Sequence, residues 1–315
     1  KRKFGLVDFE IAASILDGNY PSESNTETYF STQHRIALSD CGDIPCDDLR
    51  EYIKIGGFQS LVEVLESEPT QVIDKVLDAG LRGRGGAYFP AGLKWKAVSE
   101  LDEANRYLVV NCEEGEPGVF KDRHLMEGLP YRIIEGAMIG AYSSGASEIF
   151  IYVNAEAHLS TTRIEAAVKQ CYDVGLCGKD VLGSGYGFEV FILHGAGGYV
   201  CGEETTLLNT MEGFRREPRV RPPFPTESGY LNQPTVINNA ETLANIPHII
   251  SQGSEHFKTI GLPDAPGCKI ISLSGFVDRP GVIEVPMGTS IRYIVEQIGN
   301  VPQSGKIGAV AVGGP

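Results

Sequence analysis

The chain has 315 residues, of which 42% are hydrophobic and 22% are charged. That length suits one large domain or two to three smaller ones, with enough apolar content for a core. The formal net charge is −14, which argues against nucleic acid as a partner, because nucleic-acid-binding domains are usually basic. No run of about 18 apolar residues occurs, so we expect no direct membrane span and a cytoplasmic location.

The cysteines and histidines do not suggest a metal site. Seven cysteines lie at positions 41, 46, 112, 171, 177, 201 and 268. None forms a CxxC pair, and their spacing matches no common zinc or iron–sulfur ligand set. The six histidines form no ligand-spaced pair either. The sequence therefore predicts reduced thiols and no metal site in this chain.

The first 70 residues are mixed and predict an N-terminal extension with short helices, numbered 1–70. Residues 22–28 (SESNTET) are typical of a loop, and DDLREYIKIGGF predicts a helix that ends at Gly56 and Gly57. After it, Val72, Ile73, Val76 and Leu77 form an amphipathic stripe. That stripe predicts a helix with Thr70 as N-cap and Gly80 as its stop.

Alternating strands and helices follow, over 71–255. The runs YLVVNC (107–112), EIFIYVN (148–154) and FEVFILHG (188–195) predict strands, with helices at about 130–143 and 158–174 between them. This order predicts an α/β fold with a parallel sheet, whose ligands bind outside the carboxyl ends of the strands. Residues 216–234 are too rich in proline for helix, and a helix kinked at Pro247 is expected from Asn239 to about Gln252.

The pattern changes at Gly267. CKIISLSGF, GVIEVP, a helix at about 289–298 and KIGAVAV predict a β-β-α-β order. We expect a small second domain over 266–315 that is incomplete at the end of the sequence.

The segment GLRGRGGAYFPAGLK (80–94) is rich in glycine and leads into a helix. Glycines allow backbone amides to point into one concavity. Together with a helix start near Pro90 and the charge of Lys94, these amides predict a seat for a phosphate. The segment matches neither GxGxxG nor GxxxxGK[ST], and a purely structural loop is the alternative.

Two acidic motifs follow strands: NCEEGEPG (111–118) and GAGGYVCGEE (195–204). Their carboxylates could accept hydrogen bonds from sugar hydroxyls, as acids do with ribose. The alternatives are solvated surface acids and acids that complement a helix dipole. The basic residues Arg215, Arg216, Arg219 and Arg221 indicate an ion-paired or solvated loop, or else a contact with a phosphate or a partner subunit.

Four segments together resemble the NADH-binding flavoprotein subunit of NADH dehydrogenases, a family that includes the respiratory complex I subunit and subunits of soluble hydrogenases and formate dehydrogenases. They are GLRGRGGAYFPAGLKW, NCEEGEPGVFKDR, GGYVCGEETTLLNTMEG and RPPFPTESGYLNQPTVINNAETLANI. The resemblance covers about residues 35–315. It implies a Rossmann-like FMN/NADH domain and then a β-grasp (ubiquitin-like) domain, with the sequence ending before the helical iron–sulfur domain.

The resemblance also implies an activity: an FMN-dependent NADH dehydrogenase that passes electrons to iron–sulfur partner subunits, which could attach it to the inner face of a membrane. The positions that match FMN contacts are Gly83, Arg84, Gly85, Lys94, Asn111, Glu114, Tyr199, Asn238 and Asn239. Those that match NADH contacts are Phe89, Glu116, Glu203, Glu204 and Phe224.

This sequence departs from the family pattern at several places. Tyr88 replaces a glycine, Ala97 stands where an aromatic residue is common, and Gly115 replaces a serine. The C-terminal cysteine motif that binds a 4Fe-4S cluster is absent from this sequence. Two alternatives stay open: a component of a soluble hydrogenase or formate dehydrogenase, and a non-catalytic flavin- or nucleotide-binding scaffold. Acids such as Glu116 and Glu204 near a ribose favour NADH over NADPH.

Overall fold

A four-stranded parallel sheet forms the centre of the protein. The computed structural model describes residues 29–103, 105–302 and 305–314, so the predicted loop at 22–28 lies outside the described residues. The strands are β1 (Tyr107–Cys112), β2 (Glu148–Val153), β3 (Glu189–His194) and β4 (Thr235–Asn239), in the order β3-β2-β1-β4. All neighbouring strands are parallel, which confirms the Rossmann-like α/β prediction.

Strand β4 was not predicted from the sequence. Its residues TVINN include two asparagines, which have low strand propensity, and they directly precede a helix. In the structure β4 pairs with β1 so that Asn111 lies opposite Asn239. Strand β4 therefore places two predicted site residues, Asn111 and Asn239, side by side.

Helices cover both faces of the sheet. Those before β2 are α1 (Leu49–Lys54), α2 (Gln59–Leu65), α3 (Pro69–Asp78), α4 (Ala91–Ser99), α5 (Lys121–Gly128) and α6 (Pro130–Ser144). After it come α7 (His158–Asp173), α8 (Glu204–Met211), α9 (Ala240–Ala244), α10 (Ile246–Gln252) and α11 (Ser254–Lys258). Alternate strand residues pack to opposite faces: Leu108 and Val110 belong to the main core, and Tyr107 and Val109 to a smaller cluster that includes Leu207 of α8.

The predicted N-cap of α3 is wrong. The helix begins at Pro69, with Glu68 as N-cap and no side-chain capping bond. Proline fixes a helical φ and lacks an amide hydrogen, so it is well suited to the first position, which leaves Thr70 inside the helix. The predicted stop is confirmed, because Gly80 has φ +69°.

The predicted kink near Pro247 is a break between two helices. α9 ends at Ala244, and α10 begins at Ile246 with Pro247 in its first turn. Proline cannot continue the hydrogen bonding of a preceding helix, so the chain starts a new one.

The last part of the chain forms two antiparallel pairs and a short helix. β5 (Gly261–Leu262) pairs with β6 (Ala265–Pro266), and β7 (Cys268–Leu273) pairs with β8 (Gly281–Pro286). A helical turn at Ile291–Tyr293 continues as a π-helix at Ile294–Ile298. The predicted final strand KIGAVAV is wrong for these residues, because the described part of 305–314 contains no strand. The segment makes no ladder with β7 or β8, so the observed order is β-β-α.

The β7–β8 hairpin shares the main core, because Cys268 and Ile270 pack within it. Its other face forms a cluster with Ile283, Val285 and Ile298. The limits 71–255 and 266–315, and the β-grasp assignment, stay predictions. Among the described helices none has both the length and the apolar character needed to cross a membrane.

Candidate functional site

The glycine loop (80–94) and the two acidic motifs (111–118 and 195–204) lie together at the carboxyl edge of the sheet. Asn111 and Asn239, here called the asparagine pair, lie side by side at the same edge, at the ends of β1 and β4. A Cβ added to Gly85 would lie 2.9 Å from the Cβ of Asn239. Glycine is therefore required at position 85 for the loop to approach β4 this closely.

Two backbone hydrogen bonds join the two ends of the glycine loop. The Gly83 amide donates to the Phe89 carbonyl at 2.8 Å, and the Ala91 amide donates to the Leu81 carbonyl at 2.9 Å. Helix α4 begins at Ala91 with no side-chain cap, so the amides that follow Ala91 in its first turn can donate to an acceptor. This geometry fits the predicted anion seat.

Tyr88 adopts a left-handed backbone conformation, with φ +56°. Glycine accepts that conformation without strain, which explains why glycine is usual at this position in the family. The guanidinium carbon of Arg82 lies 5.2 Å from the centre of the Tyr88 ring. The ring is thus held by a cation–π contact.

Arg84 has an anchoring role in the structure. Its side chain is buried, and its Nη2 donates to the Pro266 carbonyl at 2.8 Å. Its amide donates to Thr242 Oγ1 at 2.9 Å, and its carbonyl accepts from Lys269 Nζ at 3.0 Å. These contacts join Arg84 to β6, β7 and α9. The predicted contact of Arg84 with FMN stays a prediction.

Glu114 is buried, which excludes the solvated-acid alternative for it. Its carboxylate accepts from the amides of Asp122 at 2.8 Å and Arg123 at 3.1 Å, in the first turn of α5. Burial, followed by the neighbouring charge of Asp122, raises the pKa of Glu114 to about 7. Asn111 donates through Nδ2 to the Gly202 carbonyl at 2.9 Å, which connects the two acidic motifs.

Glu113 belongs to the first acidic motif but is not among the positions that the family resemblance matched to a ligand. It is buried, and its Oε1 accepts from Asn154 Nδ2 at 2.8 Å. Its Oε2 is buried without a hydrogen-bond partner in the described part of the chain, and a Cβ on Gly195 would overlap it at 2.4 Å. Burial raises the pKa of Glu113 to about 7. The position of Asn154 just after β2 was the available signal, since strand ends share one edge.

Tyr199 and Glu116 lie together at the surface. The Tyr199 side chain is 64% exposed, and a hydrogen bond with Glu116 raises the pKa of Tyr199. The backbones of the two motifs are also in contact, because a Cβ on Gly115 would lie 3.2 Å from the Tyr199 carbonyl oxygen. The Tyr199 ring is therefore not packed in the core.

The two acids of the second motif differ in role. The motif enters a 3₁₀ turn at Tyr199–Gly202 before α8, with Glu203 as N-cap. Glu203 Oε2 accepts from the amides of Thr205 at 3.0 Å and Thr206 at 2.9 Å. Burial acts to raise the pKa of Glu203, but these hydrogen bonds lower it overall.

Glu204 lies between two cations. Its Oε2 is 2.8 Å from Lys94 Nζ, and its Oε1 is 3.1 Å from Arg221 Nη1. Arg221 also lies 3.7 Å from Glu203 Oε1, and Arg219 pairs with Glu212 at 2.9 Å. The arginine-rich loop is therefore ion-paired.

The remaining predicted residues lie apart from these contacts. Asn238 is buried and accepts from Trp95 Nε1 at 2.8 Å. Phe89 and Phe224 are 47% and 50% exposed, and among the described residues no contact joins either ring to another predicted site residue. Within 29–103, 105–302 and 305–314, no group of three or more His, Cys, Asp or Glu residues is arranged for a metal ion.

Comparison with known proteins identifies the family. A family model described as the Nuo51 FMN-binding domain matches residues 76–248, which is more than half of the chain. The chain belongs to this family. The match spans β1 to β4 and all three motifs at the carboxyl edge, so it covers the part of the fold that forms the candidate site.

Individual relatives agree with the family assignment. The chain is 43% identical over 284 residues to the NADP-reducing hydrogenase subunit HndC of Solidesulfovibrio fructosivorans, covering 90% of this chain and 58% of that protein. It is 45% identical over 268 residues to the F 2 subunit of the NADH-quinone oxidoreductase of Rhizobium meliloti (strain 1021), covering 84% and 64%. A structure of NAD+-reducing [NiFe]-hydrogenase in the H2-reduced state matches with TM-score 0.73 and 34% identity, covering 86% and 44%. The chain thus spans less than two thirds of each of these proteins.

Proposed function

We propose that this chain binds FMN at the carboxyl edge of its sheet and accepts hydride there from NADH. The observation that carries the proposal is the approach of Gly85 to Asn239, which places the glycine loop against the asparagine pair. In a member of the Nuo51 FMN-binding domain family, that edge is the natural cofactor position.

The residues present fit a flavin mononucleotide. A phosphate would sit at the glycine loop and the start of α4, with Lys94 as a nearby charge. Glu113 Oε2 is a buried acceptor without a donor among the described residues, and a ribityl hydroxyl is a suitable donor for it. The proposed FMN residues are Gly83, Arg84, Gly85, Lys94, Asn111, Glu114, Tyr199, Asn238 and Asn239, with Glu113 added from the structure.

The proposed nucleotide site adjoins it on the exposed side. Its residues are Phe89, Glu116, Glu203, Glu204 and Phe224. The exposed aromatic faces of Phe89 and Phe224 can stack on a base or a nicotinamide ring, and Glu116 and Glu204 can accept from hydroxyl or amide groups. Bound FMN supplies the hydride acceptor, and the protein aligns the two ligands and excludes water. No side chain of this chain needs to act as acid or base in that step.

The electrons then leave through other subunits in this proposal. The relatives carry names of multisubunit hydrogenases and quinone oxidoreductases, and iron–sulfur proteins are the expected acceptors. A cytoplasmic location follows as a proposal, with any membrane attachment made by partner subunits.

Flavin reduction tests the function directly. The purified chain, loaded with FMN, is expected to be yellow and to bleach anaerobically when NADH is added. A folded chain that neither retains nor rebinds FMN would contradict the proposal. Bound FMN that stays oxidised in the presence of NADH would instead support the non-catalytic scaffold.

Nucleotide preference is tested in the same assay. Acids near the ribose disfavour a 2′-phosphate, so bleaching is expected to saturate at lower NADH than NADPH. Equal half-saturation by the two nucleotides would contradict this preference and would indicate that Lys94 and Arg221 compensate the charge of Glu204.

A further inference from the structure

A group of charges lies beneath the glycine loop. This buried ion cluster consists of Lys121, Asp122 and Glu241, which are buried, and of Lys269 at its edge, whose side chain is 32% exposed. Lys121 Nζ is 2.6 Å from Asp122 Oδ1 and 3.0 Å from Glu241 Oε2, and Lys269 Nζ contacts the same Glu241 oxygen. The Glu241 side chain is completely buried. Burying these ions is costly unless every partner is in place, so the cluster fixes the positions of the elements that carry it.

The cluster sets the orientation of Asn239. Lys121 Nζ donates to Asn239 Oδ1 at 3.0 Å, and Asn239 Nδ2 donates to Asp122 Oδ2 at 2.7 Å. The amide oxygen thus faces a cation and the amide nitrogen faces an anion, which excludes the flipped side chain. The same Asp122 donates its backbone amide to Glu114 at 2.8 Å. Two proposed FMN residues are therefore oriented by the cluster.

Lys269 connects the buried ion cluster to the glycine loop. It lies on β7, and its Nζ donates to the Arg84 carbonyl at 3.0 Å across 185 residues of sequence. Arg84 is also held by Thr242 Oγ1 at its amide and by the Pro266 carbonyl at its guanidinium. Glycines flank Arg84 on both sides. Because glycine gives the backbone wide freedom, these anchors, and not the loop itself, determine where Arg84 lies.

We propose that Lys269 is a positioning residue of the flavin site, through which β7 and the buried ion cluster hold the glycine loop against Asn239. The proposal rests on the proposed FMN function. Lys269 touches neither ligand; it acts through the Arg84 carbonyl and Glu241. Without the charge of Lys269, the glycine loop would lose one of the contacts that fix its distance to β4.

Substitution of Lys269 by methionine tests the proposal, with two measurements on the apo protein. The dissociation constant for added FMN is measured by the change in flavin fluorescence, and the exchange of the Arg84 amide is measured by hydrogen–deuterium exchange. Loss of a charge-assisted hydrogen bond predicts FMN binding weaker by about tenfold or more, together with faster exchange at Arg84. Lys269→Arg keeps the charge and is expected to recover most of the affinity, which a general loss of packing would not allow.

Lys258→Met is the matched control. Lys258 pairs with Asp78 at 2.6 Å and Glu255 at 2.8 Å on the surface, outside the site. The K258M variant also removes one lysine charge, and it is expected to leave both the FMN affinity and the exchange of the Arg84 amide unchanged. If K269M does not fold, Lys269→Gln removes the charge but keeps a polar side chain, and weaker FMN binding with faster Arg84 exchange is expected.

Two failures are distinguishable. If the wild-type chain does not bind FMN, the proposed function is overturned. If the wild type binds FMN and K269M, or K269Q in its place, binds equally well with a protected Arg84 amide, the positioning role of Lys269 is overturned and the proposed function stands.

Discussion

Tyr88 stands in the glycine loop where the family resemblance predicts a glycine. Its φ of +56° belongs to the left-handed region, which costs a non-glycine residue roughly 1 kcal/mol. The contact between its ring and Arg82 offsets part of that cost. A side chain at this position is thus accommodated, and the loop keeps the shape that a glycine would allow.

Replacement of Tyr88 by glycine tests whether the ring obstructs the nucleotide. The variant is expected to change nucleotide affinity by less than about threefold, because Arg82 holds the ring through a cation–π contact. The half-saturating NADH concentration for flavin bleaching gives the comparison. A gain of tenfold or more would show that Tyr88 blocks the site and would support the scaffold alternative.

At this scale the sequence supported some predictions better than others. The loop pattern predicted glycines that let backbone amides point into one concavity, and at position 85 the structure adds a different reason for glycine, the close approach to Asn239. The buried state of Glu113 and Glu114 was not predicted. An acidic run predicts a solvated turn, and only the folded chain shows that Asn154 and the first turn of α5 cover these carboxylates. Partners that lie far away in sequence leave no local signal.

At the scale of single elements, α8 depends on Glu203. This residue caps the helix through the amides of Thr205 and Thr206, while its Oε1 faces Arg221. One side chain therefore serves both the start of a helix and the proposed nucleotide site, so its two contributions need separate measurements.

Glu203→Ala is expected to lower the free energy of unfolding by about 1 kcal/mol through loss of the cap. That corresponds to a decrease in Tm of roughly 2 to 4 °C, measured on the apo protein without nucleotide. Glu217→Ala, which removes an exposed partner of Arg215, is the control and should leave Tm nearly unchanged. An unchanged Tm in E203A would show that the cap contributes nothing to α8.

The contact between α6 and α9 permits little change. A Cβ on Gly136 would lie 2.1 Å from the Leu243 carbonyl oxygen, and this is a backbone atom that cannot move aside alone. α9 begins at Ala240 with Asn239 as its N-cap and carries Glu241 and Thr242, so displacing it would disturb the site as well as the core.

Gly136→Ala is therefore expected to lower the free energy of unfolding by about 2 to 4 kcal/mol and to weaken FMN binding. Gly308→Ala is the control, because a Cβ there meets nothing within 4 Å. Denaturant unfolding of both variants gives the comparison. Equal stability of G136A and wild type would mean that the two helices are not in the close contact described.

The sequence predicted the positions of whole helices and strands better than it predicted which strands pair. Long, strongly patterned segments such as α7 and the first three strands appear close to the predicted positions. Strand β4 was missed, because its pairing with β1 depends on a neighbour more than 100 residues away in sequence, as the pairing of Tyr107 with Thr235 shows. KIGAVAV has the composition of a strand but no ladder in the described residues, since composition alone provides no partner.

At the scale of the whole molecule, buried carboxyl groups connect stability to pH. Burial is the first cause that raises the pKa of Glu113 from 4.5 to about 7. The folded state then holds this proton more tightly than the unfolded state does. The contribution of Glu113 to stability therefore falls as pH rises from about 4.5 to about 7 and stays low above that range.

Glu113→Gln tests this dependence in the apo protein. Below about pH 4 the carboxyl group is mostly protonated in both the folded and the unfolded state, so the Tm values of the two proteins should be similar. Above pH 7 the variant avoids the buried charge and is expected to be more stable by the order of 1 kcal/mol. Thermal unfolding from about pH 4 to 8.5 provides the measurement, and a difference in Tm that does not change with pH would contradict the assignment.

The contact between Lys269 and Arg84 also has a consequence for biosynthesis. The atoms that define the glycine loop are supplied by residues 158 and 185 positions later in the chain. Contacts of such long sequence separation form slowly and late in folding. While the ribosome is still synthesising the segment before β7, the loop lacks the anchor that Lys269 supplies. The proposed flavin pocket is therefore expected to be complete, and to take up its cofactor, only after the central sheet has formed and β7 has joined it.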